Sequence, residues 1–231
     1  MKKTVFYVFY LGLLFLFSCS SQKTTENNPP DFHEEIVPLA LENNWNYTIE
    51  KVLFSCIDGE LHCEHYDVID TTSALVTSSL EVNYENETFP AFVIEDLNYS
   101  SFPFVYRNTA EGLIEYGKLE SNGEIDFEVK LKVKFPIQTG ETWKEFDEYY
   151  GDEFVCVSED DTLTTAAGTF HCYVFELIDE SSPEGNYTRF YYKPGIGLIA
   201  EIRHKEIYVN ASEPVTVPEE YQDWYVKKLF S

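Results

Sequence analysis

The sequence predicts an all-β fold: a single antiparallel, strongly curved sheet or open barrel built from two similar halves, closed by a short C-terminal helix. A two-sheet sandwich is the alternative. Three observations carry this expectation. The 231 residues include 17 Tyr, 18 Phe and 3 Trp but only one Met, and such side chains suit a pleated, half-buried surface. In "IDFEVKLKVKF" at 125–135, apolar residues alternate with mostly charged ones, the period of a strand with one buried face. Hairpin signals punctuate the chain: Asn122-Gly123, "SPEGN" at 182–186 and "KPGIG" at 193–197.

The first element is a leader. Lys2 and Lys3 precede an uncharged run from 4 to 17. That run of about 14 residues is shorter than the roughly 20 a membrane span needs and fits a signal-peptide core. It ends in Leu16-Phe17-Ser18-Cys19, which resembles the lipobox of bacterial lipoproteins, with Phe17 where a small residue is usual. The resemblance implies cleavage after residue 18 and lipidation of Cys19, so the partner is the membrane, held through acyl chains. One chain binds reversibly and two or more hold stably. Residues 19–31 are polar and end near Pro29-Pro30. They bury too little to offset ordering, which makes them a flexible tether with a mean reach of roughly 20 Å. Ser20, rather than Asp, follows the cysteine, which in the enteric pattern implies the outer membrane.

Residues 32–231 form the β domain, long enough to bury one core. Its acidity excludes some partners. The formal net charge is −25, and removing Lys2 and Lys3 with the leader takes it to −27. Such a surface repels nucleic acid and anionic head groups. Four cysteines follow Cys19: Cys56, Cys63, Cys156 and Cys172. In an exported chain an even number reads as two disulfides. The local pairs 56–63 and 156–172 are preferred, and the other two pairings stay open. Cys56, His62, Cys63 and His65 have zinc-ligand chemistry, but strand alternation points His62 away from Cys63 and His65, and an oxidising compartment favours the disulfide. No metal site is expected.

The strands then follow in order. "GLIEYGKLE" and "IDFEVKLKVKF" flank Asn122-Gly123; "FHCYVFELID", "NYTRFYYK" and "LIAEIRHKEIYV" follow one another through the later turns. Residues 218–229 read as a helix, with Pro218 at the start, acids early, lysines late, and Tyr221, Trp224, Tyr225 and Leu229 on one face. An internal echo divides the domain into half-units of about 37–117 and 135–203. Trp45 follows Pro38 by the spacing at which Trp143 follows Pro136. "TFPAFVIE" at 88–95 matches "TFHCYVFE" at 169–176, and "FVYRNTAEGLI" matches "FYYKPGIGLI". Halves of this size cannot close a core alone, so one shared sheet is expected.

"FPIQTGETW", "AAGTF", "YYKPGIGLI" and the earlier "PLALENNWNY" resemble a pattern of uncharacterised exported bacterial β domains, over residues 37 to 202. Ala166 stands where Pro is usual and Asn43 where Gly is usual. The resemblance implies antiparallel architecture and secretion, and no established activity. Physically the motifs are structural. Gly168 and Gly195 supply backbone angles that side chains disfavour, and Pro194 sets a turn entrance. Trp45, Trp143, Phe170 and Tyr192 are core anchors first and a sugar platform second.

No catalytic motif stands out: G-x-S-x-G, a phosphate-binding loop, a dinucleotide fingerprint and H-E-x-x-H are all missing. No cofactor is expected. With 41 acids, carboxylate pairs arise by chance and do not argue for a hydrolase. Asp70-Thr71-Thr72 and Asp161-Thr162-Leu163 resemble a triplet that some bacteria O-glycosylate, which makes Thr71 and Thr162 candidates. The expected function is a non-enzymatic, lipid-anchored envelope module for binding or structure. A carrier of an apolar or lipid ligand in an aromatic-lined cavity is the first alternative, a carboxylate-dependent hydrolase the second. The protein, glycan or lipid partner is not specified by the sequence.

Overall fold

The computed structural model describes residues 35–57, 60–96, 102–146, 151–179, 185–204 and 223–230, with side chains outside 51–69 and 223–225. The leader, Cys19 and the tether lie outside the described residues.

Among the described residues the regular elements are all strands. Six strands form a first meander: β1 (Asn44–Ile57), β2 (Glu60–Tyr84), β3 (Glu87–Asp96), β4 (Phe104–Thr109), β5 (Gly112–Leu119) and β6 (Ile125–Lys134). Six more form a second: β7 (Thr142–Lys144), β8 (Glu153–Thr165), β9 (Gly168–Ile178), β10 (Tyr187–Lys193), β11 (Gly197–His204) and β12 (Asp223–Leu229). All twelve join one antiparallel sheet in the order β6-β5-β4-β3-β2-β1-β12-β11-β10-β9-β8-β7. The echoed segments fall on strands at the same place in each meander: β3 with β9, and β4–β5 with β10–β11.

The expected C-terminal helix is corrected. Asp223–Leu229 is strand β12, and residues 218–222 lie outside the described residues. The reason is the edges left by the two meanders. β12 pairs Tyr47 with Leu229 through Lys51 with Tyr225 on one side. It pairs Ala200 with Lys228 through His204 with Asp223 on the other. Joining β1 to β11 satisfies backbone groups of three strands at once, and this outweighs the weak helical preference of a Lys-rich segment.

The remaining edges, β6 and β7, nearly meet. Among the described residues one backbone bond spans them, from Leu131 N–H to the Glu145 carbonyl at 2.9 Å. The Trp143 indole N–H donates to the Leu131 carbonyl at 3.2 Å. The sheet is therefore a barrel with a seam. Tight curvature in β5 and β6 comes from register shifts and from Gly117, at φ 131°, whose place admits no Cβ because Asp126 O would lie 2.0 Å away. The β2–β3 hairpin turns through Glu85 and Asn86, both at positive φ, as a two-residue primed turn requires.

Two apolar clusters result. The larger holds Trp45, Tyr47, Trp143, Phe154, Phe175 and Ile199 with residues of both meanders. The smaller lies on the other face of β2–β6, around Val82, Phe89, Ala91, Val105 and Tyr116. Alternation explains the split: Phe92 and Ile94 of β3 pack with the first cluster, Phe89 and Ala91 with the second. Strand β6 departs from the expected one dry and one wet face. Phe127 is 43% exposed, while Lys130 and Lys132 are half-buried.

Candidate functional site

The inner face of the barrel carries a half-open chamber of about 190 Å³ lined by Trp45, Tyr47, Ile94, Asp96, Phe104, Tyr106, Lys132, Tyr192 and Lys227, among others. A second hollow of about 70 Å³ adjoins it, sharing Lys132 and Tyr192 and adding Trp143, Glu145, Phe154, Phe175 and Phe190. Residues far apart in sequence converge because every second side chain of a curved sheet points inward.

The polar ends of three of these aromatic walls are taken up by hydrogen bonds within the chain. The Trp45 indole N–H donates to Ile196 O at 2.5 Å, and the Tyr47 hydroxyl to Leu198 O at 3.1 Å. The Tyr106 hydroxyl donates to Glu115 Oε2 at 2.7 Å. Trp143 stacks on Phe154 with centroids 5.0 Å apart and meets Phe175 edge-on, a geometry worth about 0.5–1.5 kcal/mol per pair beyond burial. Burial raises the phenol pKa values of Tyr47, Tyr106 and Tyr192, with help from neighbouring phenols or carboxylates.

Charges among these walls are mostly matched. Lys132 Nζ sits 2.5 Å from Glu145 Oε1. Asp96 accepts from the buried Thr72 hydroxyl at 2.8 Å. Glu115, almost wholly buried, faces Lys130 at 3.9 Å, and Glu201 pairs with Arg203 at 2.6 Å. Lys227 differs: its Nζ lies 4.4 Å over the Tyr47 ring. Burial lowers its pKa, which Asp96 and Glu201 only partly offset. Chemically the chamber can hold a ring between aromatic faces and present an ammonium to it.

The sequence singled out the anchors but not the charges. Trp45 and Tyr192 line the chamber, and Trp143 lines the hollow beside it; Phe170 is half-buried against the same core. Asp96, Lys132 and Lys227 were missed because each sits in a segment whose charged residues read as solvent-facing. The echo could have found the partners of the two lysines: Tyr47 stands two residues after Trp45, and Glu145 two after Trp143.

The turn residues have the angles their places need. Gly168 has φ 141° and Gly195 φ 75°, and Pro194 precedes Gly195 in a turn closed by Ile196 N–H to Lys193 O at 2.9 Å. Gly195 N–H also donates to Glu35 O at 2.7 Å. Thr71 and Thr162 are exposed, and the amide of each donates to the preceding aspartate at 2.8 Å.

The expected 156–172 disulfide is absent: both cysteines are free and buried. Cys156 stands opposite Phe175 and Cys172 opposite Asp161. A three-residue offset along a strand is about 10 Å, beyond the roughly 7 Å limit for bridged Cα atoms. Burial is the main cause raising both thiol pKa values to about 11. The side chains of Cys56, His62, Cys63 and His65 lie outside the described residues; in the β1–β2 ladder Cys56 is opposite Leu61 and Cys63 opposite Phe54. Among the described residues no group of three or more His, Cys, Asp or Glu side chains is placed to hold a metal.

No family model matches the chain, and no curated protein matches it. Two crystal structures are similar in outline. One is a predicted exported protein with a YmcC-like fold from Bacteroides fragilis, 13% identical, covering 84% of this chain and 96% of that one, with a TM-score of 0.35. The other is a predicted lipoprotein from Parabacteroides distasonis, 14% identical, covering 85% and 97%, with a TM-score of 0.30. Likeness at this level transfers neither activity nor ligand.

Proposed function

We propose that this chain is a lipid-anchored protein of the cell envelope, held at the outer membrane through Cys19, whose barrel is a non-enzymatic binding module. Its seat is the interior chamber. The observation that carries the reading is a space of about 190 Å³ walled by ring faces and reached by polar groups from both meanders. Binding sites have this make-up: apolar walls and a few placed polar groups. Size sets the ligand class. An engineered cavity of about 150 Å³ takes benzene, so this chamber suits a ring-sized molecule and is small for a whole lipid. The lipid-carrier alternative therefore fits less well. A hydrolase also fits less well, because Asp96 and Glu145 are each engaged by a neighbouring side chain.

Ligand-observed NMR with benzamide tests the seat. Saturation transfer to the probe is expected from the native protein and not from Ala74→Phe, which fills the chamber from β2 while remaining folded. Equal transfer from both proteins would place binding elsewhere, and no transfer from the native protein would refute a ring-sized seat. Intact mass of membrane-extracted protein tests the anchor: a chain beginning at Cys19 and heavier by acyl groups is expected. An unmodified chain cut elsewhere would remove the membrane role.

A further inference from the structure

We propose that the chamber selects a small cyclic carboxylate, with the anionic group of the ligand on Lys227 and its ring against Trp45, Phe104 and Tyr106. This rests on the chamber being a ligand seat and adds the charge of what it takes.

Two lysines of the barrel interior face different partners. Each meander sends one from its last strand toward the residue two places after the other meander's tryptophan. Lys132 of β6 meets Glu145, a carboxylate, at 2.5 Å. Lys227 of β12 meets Tyr47, a ring, at 4.4 Å. Among the described residues no carboxylate comes within ion-pair distance of Lys227, although Asp96 and Glu201 act on it from farther away. The ring face offsets part of the lost hydration of an ammonium. It does not replace a counter-ion, because a buried charge is fully compensated only when paired and hydrogen-bonded.

Charge of the surroundings sharpens the point. In a chain of net charge −25, a desolvated lysine short of a carboxylate is unlike the other lysines of the barrel interior, since Lys130 and Lys132 both have acidic partners. Lys227 opens onto the chamber. A ligand carboxylate there completes its coordination where the described residues place none within ion-pair distance. Tyr192 lines the same space, and a phenol hydroxyl can donate to the second carboxylate oxygen. Asp96 also lines the chamber. It disfavours a dianion and favours a ligand with one negative charge and a donor on its ring.

Titration calorimetry with benzoate and its neutral isostere benzamide tests this on the full β domain. Benzoate is expected to bind at least about tenfold tighter, the range of a charge-assisted hydrogen bond. Lys227→Met is expected to bring the two affinities to within about twofold, and Lys227→Arg to keep the preference, each with an unfolding midpoint confirming the fold. Benzamide binding as tightly as benzoate would overturn the assignment and leave the seat standing. A benzoate preference that survives Lys227→Met would also overturn it, placing the anion elsewhere. Binding of neither probe would overturn the assignment and the seat together.

Discussion

The barrel closes at two places, and they are built differently. At the β12–β1 joint a continuous ladder runs from Tyr47–Leu229 to Lys51–Tyr225. At the β6–β7 seam the described residues supply one backbone bond, one indole bond and two ion pairs, Lys132–Glu145 and Lys134–Glu141. Ladder hydrogen bonds hold the first; side chains hold the second. The same contrast sets the chemistry. The seam uses Lys132 and Glu145 to fasten two edges, so both are satisfied. The joint needs no such fastener, and Lys227 is left to face the chamber.

The largest way to break this comparison is to remove β12. A chain ending at residue 222 exposes the edges of β1 and β11 together and should lose its cooperative urea transition, followed by tryptophan fluorescence. Retention of a sharp transition would mean that the meanders hold without it. The tryptophans come next. Trp45→Ala and Trp143→Ala each remove a side chain that is 7% exposed and should each cost about 3–5 kcal/mol in denaturant unfolding. A cost confined to Trp45 would make the seam ornamental.

The lysines separate the two closures more finely. Lys132→Met strands Glu145, whose side chain is 10% exposed, and should cost about 1–2 kcal/mol, the modest end for a pair whose lysine is about one-third exposed. Lys227→Met breaks no ion pair among the described residues and should be neutral or stabilising by up to about 1 kcal/mol. Equal costs would erase the distinction between fastener and ligand contact. The smallest effect is alkaline. Burial pushes the Tyr192 phenol above its ordinary value of 10.0. Above pH 10 the unfolded chain therefore releases a proton that the folded chain keeps, and stability falls as pH rises. Tyr192→Phe should make that fall shallower while changing stability at pH 7 by less than about 0.5 kcal/mol. An unchanged slope in pH-dependent unfolding would show that this phenol is not buried in the folded state.

The sequence carried the all-β class, the curvature and the turns, because period two and turn chemistry are local. It misread residues 223–229, because a strand filling the gap between two edges is decided by its neighbours and not by its own composition. The internal echo held a clue. If the first meander ends in the Lys-rich strand β6, a matching Lys-rich segment at the end of the second invites a strand too. Inward lysines were illegible for a related reason. "VKLKVK" alternates in the same way whether its charged face meets solvent or a chamber, and only closure of the barrel decides. The cysteines misled because a count in an exported chain carries no register, and register set Cys156 and Cys172 too far apart.

The proposed chamber holds a ring with its anion at Lys227. Crystals soaked in 4-bromobenzoate test this most directly through the anomalous signal of the bromine. The predicted result is one bromine peak inside the barrel near Trp45 and Tyr106, with the carboxylate on Lys227 Nζ. Bromine found only outside the barrel, or a carboxylate seated away from Lys227, would contradict it.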